Sequence, residues 1–365
     1  MIKVLMVVTN LIESDGVANF AMNYFRRIEH NDIKMDFLIY SSDKISKEFQ
    51  KEILDAGSKI YSVPSVKHLN QHFRECKKIL SENHYDIIHD NSLIITLPLM
   101  WCAKNAVRVR ILHSHNSKMG ETVFKEIRNK LALPLLTATA TNYVACSDLA
   151  GKAMFGKRKF TFVPNTISSR YKYNPEVRKS VRQKFGVQGK LLVGTIARVA
   201  EQKNPEFALK IFSELLKIEP NAEYWWIGDG PLLNKMREMA IKKKIDSQVR
   251  FFGNRNDVEE LYQALDVFLL PSKFEGLGIA LVEAQAFGVP CIVSNDIPKV
   301  AIYTDLVTQL SIKSNSSEWA KNIAVSKRVF RKREEYNTAL RKSVFSDKLA
   351  GENLKNLYIQ LLGAN

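Results

Sequence analysis

A doubly wound α/β fold, built twice in one chain, is predicted by three features of this 365-residue sequence. Short apolar runs alternate with amphipathic helical patterns from end to end. The alternation restarts after a polar, basic stretch at 168–188. A hydrophobic content of 45% is enough for two cores of ordinary size. The first strand is Ile2-Lys3-Val4-Leu5-Met6-Val7-Val8, and Met35 to Tyr40, Asp86 to His89, Val109 to His113 and Asn142 to Cys146 follow it. The second half opens its sheet at Leu191 and continues with Glu223 to Ile227, Val249 to Phe252, Val267 to Leu270 and Cys291 to Val293. These runs are short, apolar and rich in β-branched and aromatic residues, as strands buried on both faces require. The expected domains are therefore 1–167 and 189–345, joined by a linker at 168–188 that holds a helix of its own. A last helix is expected from about Ser346 to Leu362, within 346–365, and neither an internal repeat nor a low-complexity tract stands out.

Composition narrows the function classes. Cys76, Cys102, Cys146 and Cys291 have no metal-ligand spacing and read as reduced core residues of a cytoplasmic protein. No leader pattern precedes the first strand, and the longest apolar stretches, near Leu93 to Ala103 and Leu131 to Ala140, are too short or too interrupted to span a bilayer. The net charge of +16 calls for an anionic partner. Nucleic acid is not expected, because zinc-finger spacing, a helix-turn-helix signature and aromatic RNA-binding motifs are all missing. An anionic membrane surface suits the segment from Phe124 to Leu136, where cations interleave with apolar residues. The same pattern also describes an ordinary surface helix packed by its apolar side.

Chemistry concentrates in the second half. Pro271-Ser272-Lys273-Phe274-Glu275-Gly276-Leu277-Gly278 lies between an apolar strand and a short helix that carries Glu283, eight positions after Glu275. A glycine loop feeding a helix N-terminus suits a phosphate, and the carboxylates at its ends can accept hydrogen bonds from sugar hydroxyls. Upstream, Gly194-Thr195-Ile196-Ala197-Arg198 runs from a buried strand into a loop that presents Arg198 and, five residues on, Lys203, before a helix starting near Pro205. Two cations on one loop match a diphosphate, the arginine as a fork and the lysine as a point charge.

These two segments, with Trp226-Ile227-Gly228-Asp229-Gly230-Pro231 and Val163-Pro164-Asn165, make the chain resemble the retaining, sugar-nucleotide-dependent glycosyltransferases of family 4. Segments after Glu283, such as Cys291 to Pro298 and Ser317 to Ala320, are similar to the subgroup that builds bacterial exopolysaccharide and capsule. The resemblance implies the GT-B architecture: two facing Rossmann-like domains, the acceptor on the first and the donor on the second, with the last helix crossing back onto the first. It implies that Arg198 and Lys203 hold the donor diphosphate, that Glu283 binds the ribose and that Glu275 contacts the transferred sugar. Gly194 and Gly228 lie in matching motifs, and the backbone amides of Gly276, Leu277 and Gly278 are expected to touch sugar and phosphate. The implied partners are a nucleotide sugar, expected to be UDP-linked, and a saccharide or lipid-linked saccharide acceptor at the inner membrane leaflet. Retention follows from the family, not from the residues; Glu275 and Glu283 hold the donor and are not a glycosidase pair.

No Asp-x-Asp occurs, so no metal or other cofactor is expected, and side-chain cations take a metal's place on the diphosphate. All seven histidines precede residue 116. His113 and His115 share a strand face, as a metal pair or as the histidine the family places near the transferred sugar; His115 matches better, with His113 in reserve. The family's first loop carries two adjacent glycines, whereas here Asp15 precedes a single Gly16 among the donor contacts. Asp15 is then an acceptor contact, a base or a helix N-terminal residue. Two other activities fit this architecture: a UDP-sugar 2-epimerase, whose second-domain histidine pattern is missing, and a non-catalytic partner subunit, against which the intact Arg198, Lys203, Glu275 and Glu283 argue.

Overall fold

The computed structural model describes residues 1–13, 15–30, 32–40, 44–120, 123–168, 171–326 and 332–363. Parts of three segments named above, Ser14 in the first loop, residues 169–170 of the expected linker and 364–365 of the C-terminal segment, lie outside the described residues, as do 327–331. The chain divides into two compact units: Met1–Thr166 together with Asp347–Asn365, and Ile167–Ser346.

The first unit is built on seven strands, β1 (Ile2–Val7), β2 (Ile33–Ile39), β3 (Ile60–Ser62), β4 (Ile87–Asp90), β5 (Val109–Ser114), β6 (Asn142–Ala145) and β7 (Thr161–Phe162). All pairs are parallel, in the order β3-β2-β1-β4-β5-β6-β7. Because side chains alternate along a strand, Val4 and Met6 join one apolar layer with Phe37, Ile87 and Ile111, while Leu5 and Val7 join the opposite layer with Leu38, Ile88 and Leu112. Burial on both faces explains why these strands read as continuous apolar runs.

The C-terminal helix Ala350–Gly363 completes the first of those layers with Ala350, Leu354, Leu357 and Tyr358. It lies against the end of the first helix, Gly16–Phe25, so closely that a Cβ on Gly351 would stand 1.8 Å from the Arg27 carbonyl oxygen. Arg27 pairs with Asp347, and Lys355 reaches Glu29 at 2.6 Å.

The helix Val123–Thr137 packs on its domain through Leu133 and Leu136 and leaves a second apolar stripe outside. Leu136 is buried, but Phe124, Ile127, Leu131 and Leu135, spaced three and four apart, are 77%, 55%, 76% and 56% exposed. This second stripe faces solvent.

The second unit carries β8 (Leu192–Ile196), β9 (Glu223–Ile227), β10 (Val249–Gly253), β11 (Val267–Leu270), β12 (Cys291–Ser294) and β13 (Val307–Leu310), all parallel, in the order β10-β9-β8-β11-β12-β13. The stretch expected as a linker is built into this unit. Its helix, Pro175–Lys184, starts on an Asn174 cap with proline at its first turn. Arg178 then donates to the carbonyls of Gln263, Ala264 and Leu265 at 2.8–2.9 Å, and Arg182 to Ala264 at 2.8 Å and to the Asp266 carboxylate at 3.1 Å. Polarity made the segment look like a connector, yet its cations serve carbonyls that end another helix.

Candidate active site

In each sheet the strand order reverses, between β1 and β4 in the first and between β8 and β11 in the second. A parallel sheet offers ligands the crevice beyond its carboxyl ends at such a reversal. In the second unit that crevice is flanked by the loops after β8 and β11, the two segments that carry Arg198, Lys203 and Glu275.

The Glu275 carboxylate is buried, yet Lys203 Nζ lies 2.6 Å from its Oε1. Ser272 Oγ donates to the same oxygen at 2.6 Å, and Gln202 Nε2 approaches Oε2 at 3.3 Å. Lys273 N donates to the Gln202 carbonyl at 2.8 Å, so the two loops are bound at backbone as well as side chain. The Lys203 ammonium has three N–H donors and the ion pair takes one of them. Arg198 is exposed at the turn above. Ser272 and Gln202 were not singled out in the sequence, since neither hydroxyl nor amide carries a signal until its partner is known.

Glycines hold the Arg198 loop in place. Gly228 has φ +132°, and a Cβ there would stand 2.2 Å from the Ala197 carbonyl oxygen; on Gly230 it would stand 2.5 Å from that of Val199. Close approach lets Val199 N donate to Asp229 O at 2.9 Å and Trp226 Nε1 to Ala197 O at 2.8 Å. Gly194, expected on the donor, instead lies buried inside β8, where Leu265 fills the space a side chain would take, 2.5 Å from its would-be Cβ.

After Glu275 the chain turns through Gly276 and Leu277 to Gly278, whose φ of +84° only glycine adopts freely. The helix Ile279–Ala286 starts there without a side-chain cap, leaving its first amide groups to a ligand or solvent. Glu283, on that helix, accepts from Tyr262 Oη at 2.8 Å. Burial pushes its carboxyl up to about 7, with Glu259 adding to the rise and hydrogen bonds from Tyr262 and Tyr171 opposing it.

Beyond the carboxyl end of β1, Asp15 caps the first helix, accepting from Val17 N at 2.8 Å and Ala18 N at 3.0 Å. Of its three readings the helix cap is the one the geometry shows. Gly16, the first residue of that helix, has no left-handed φ and a Cβ there would meet nothing within 4 Å. His113 and His115 share one face, with ring centroids 3.9 Å apart. His113 is buried and bonded to His89 at 3.0 Å, which engages the two as partners of each other. Half-buried His115 sits between Asn91 Oδ1 at 2.8 Å and Asn165 at 3.2 Å. Among the described residues no three His, Cys, Asp or Glu side chains are grouped to hold a metal ion. Sequence reasoning missed Asp90, a buried carboxyl at the end of β4 that accepts from Thr96 Oγ1 at 2.6 Å and that burial raises to about 7.

Comparison with known proteins identifies the family. A family profile described as "Glycosyl transferases group 1" matches residues 177–339. A Bacillus subtilis (strain 168) protein with the provisional name glycosyltransferase EpsF is 32% identical over 335 residues, 88% of this chain and 87% of its own. The UDP-Gal:alpha-D-GlcNAc-diphosphoundecaprenol alpha-1,3-galactosyltransferase of Escherichia coli is 25% identical over 310 residues, covering 77% and 76% of the two chains. Among solved structures, Anabaena HepE in complex with UDP and glucose superposes with a TM-score of 0.80 over 99% of this chain and 100% of that one, at 17% identity. The likeness over nearly the whole chain, on two parallel sheets of GT-B type, makes this protein a member of the group 1 glycosyltransferases.

Proposed function

We propose that this glycosyltransferase moves a sugar from a UDP-linked donor to a saccharide or lipid-linked saccharide acceptor, with retention and without a metal, in exopolysaccharide or capsule synthesis. The observation that carries the reading is the Lys203–Glu275 pair beside the uncapped helix Ile279–Ala286, at the sheet reversal of the second unit. The names of the E. coli relative and of the HepE complex, which include UDP, support the donor, and the diphosphoundecaprenol in the former supports a lipid-linked acceptor.

In this reading Lys203 and Arg198 meet the charge that grows on the diphosphate as the sugar C1–O bond breaks. The acceptor oxygen bonds to C1 from the side the diphosphate leaves, and its proton passes to the departing phosphate oxygen. Glu275 holds a sugar hydroxyl. Neither carboxylate is a nucleophile, since Glu275 is already tied by Lys203 and Ser272 and Glu283 by Tyr262.

A panel of nucleotide sugars tests the assignment. A UDP-sugar should raise the melting temperature and be consumed only when an acceptor is supplied. Conversion of the donor alone would favour an epimerase instead, and chelation by EDTA should leave transfer unchanged.

Glu283 gives the donor site a pH signature. Its folded pKa is raised above the unfolded value, so the stability gained from the protonated form is lost as pH rises towards about 7. Ribose hydroxyls donate to the anion, so donor affinity rises over the same range. A UDP-sugar should bind roughly tenfold more weakly at pH 6 than at pH 8, and Glu283→Gln should flatten the difference.

The exposed stripe of the helix Val123–Thr137, with Lys125, Arg128 and Lys130 exposed beside it, supports docking on an anionic membrane. Among the described residues no helix is long and apolar enough to cross a bilayer. Co-sedimentation with phosphatidylglycerol vesicles should be strong for the native protein and fall at least fivefold for Phe124→Ser with Leu131→Ser, each removing a buried-tail contact of about 1.5–3 kcal/mol. Equal binding to neutral vesicles would remove this part of the reading.

A further inference from the structure

We infer that Tyr262 is a positioning residue, fixing the Glu283 carboxylate in place before the donor ribose arrives, and that Arg333 ties together the two helices carrying that pair; their part in donor binding rests on the glycosyltransferase reading. Tyr262 lies in the helix Val258–Ala264 and is fully buried. Its ring stacks on Phe287 with centroids 5.5 Å apart and tilts against Phe268 at 6.0 Å, so packing holds the ring in place. The hydroxyl then lies 2.8 Å from Glu283 Oε2 and 3.1 Å from the Ala280 carbonyl oxygen. An ionised carboxylate only accepts, so the single phenolic proton goes to the shorter, charge-assisted contact.

Seven residues make a short helix, and its last carbonyls have no partner inside it. Arg178 and Arg182 donate to them. Arg333 reaches further: its Nη1 donates to the Leu265 carbonyl at 3.1 Å, just past the helix of Tyr262, and its Nε to the Phe287 carbonyl at 2.9 Å, just past the helix of Glu283. A guanidinium is a rigid planar fork, so one side chain sets the spacing of the two helix ends. The fork is itself held. Its carbon lies 4.4 Å from the centre of the Tyr173 ring, and a Cβ on Gly288 would stand 2.7 Å from Arg333 Cα, so closely do the two main chains meet.

The consequence for the donor is preorganisation. A glutamate that waits in a single conformation spares the complex the cost of freezing its side chain, an advantage of roughly tenfold in affinity. Glu283 keeps part of its surface exposed, as a ligand contact requires. The diphosphate separates the ribose from the bond that breaks, so the gain falls on donor binding and leaves turnover alone.

Calorimetric titration of the whole protein with UDP and with dideoxyuridine diphosphate, which lacks both ribose hydroxyls, reads the contact directly. The native protein should prefer UDP by about thirtyfold. Tyr262→Phe should weaken UDP about tenfold, leave the dideoxy analogue within about twofold, and raise donor KM with kcat unchanged. In a Glu283→Gln background the same substitution should change UDP affinity by less than about twofold. Should Tyr262→Phe fail to fold, Arg333→Lys offers one donor atom in place of two and should weaken UDP about threefold, with the analogue again unaffected. Equal loss of both probes, unchanged UDP affinity, or additive effects with Glu283→Gln would overturn the proposal and leave the donor reading intact. A native protein that binds UDP and the analogue equally would instead show that Glu283 does not hold the ribose, and one that binds neither would remove the nucleotide-sugar reading; either result takes the proposal with it.

Discussion

Lys203→Ala is expected to lower turnover by about 10²- to 10³-fold while raising donor KM only modestly, because its charge matters most when the diphosphate is leaving. The substitution also strips a counter-charge from Glu275, whose side chain is 4% exposed. An uncompensated buried carboxylate costs about 3–5 kcal/mol when one partner of a pair is removed, less here because Ser272 and Gln202 still donate to it. Stability and catalysis can be separated by a cycle. Adding Glu275→Gln to Lys203→Ala removes the stranded charge, so the melting temperature should recover and turnover should not. Parallel recovery of both would mean that Lys203 acts on folding alone, and the diphosphate role would have to be given up.

Gly351→Ala should destabilise the first unit by about 3–5 kcal/mol, an effect at the top of the range for a single methyl group. The added carbon would stand 1.8 Å from the Arg27 carbonyl oxygen and 2.3 Å from its carbon, both main-chain atoms with no rotamer to yield. The helix must therefore lift, and with it Leu354, Leu357 and Tyr358, each at most 8% exposed. Every such side chain withdrawn from the core forfeits about 1.5–3 kcal/mol. Denaturation followed by tryptophan fluorescence separates the units: Trp225, Trp226 and Trp319 are buried in the second, and Trp101 is exposed in the first. The second-unit transition should stay in place while far-UV ellipticity shows an earlier one. A single unshifted transition would show that the helix adjusts at little cost.

Interior strands were legible because a strand buried on both faces must be apolar throughout, and β9 and β11 fall at the residues expected from their sequence. Three of the four edge strands were not. β3, β7 and β13 have three, two and four residues, none of them buried, so neither length nor an apolar run marked them. The donor motifs could be recognised, but the contact between Lys203 and Glu275 spans 72 residues and exists only because β8 and β11 are neighbours. Glycine was ambiguous in a physical sense: Gly228 admits a neighbouring backbone and Gly194 admits Leu265, and nothing in the residue type distinguishes these from a ligand contact. The polar helix Pro175–Lys184 reads as a connector in sequence for a related reason, as its arginines reveal their purpose only beside the carbonyls they serve.

The division of the sequence between the units carries a consequence for biosynthesis. The later-translated unit is one unbroken stretch, Ile167–Ser346, whereas the earlier one is finished by residues from Asp347 onward. A nascent chain therefore leaves the ribosome with its first half open along the groove that Leu354 and Tyr358 will fill, for roughly 10–40 s at ordinary translation speeds. Over that interval the half made first is the one in need of chaperone cover, and the half made second is free to fold ahead of it.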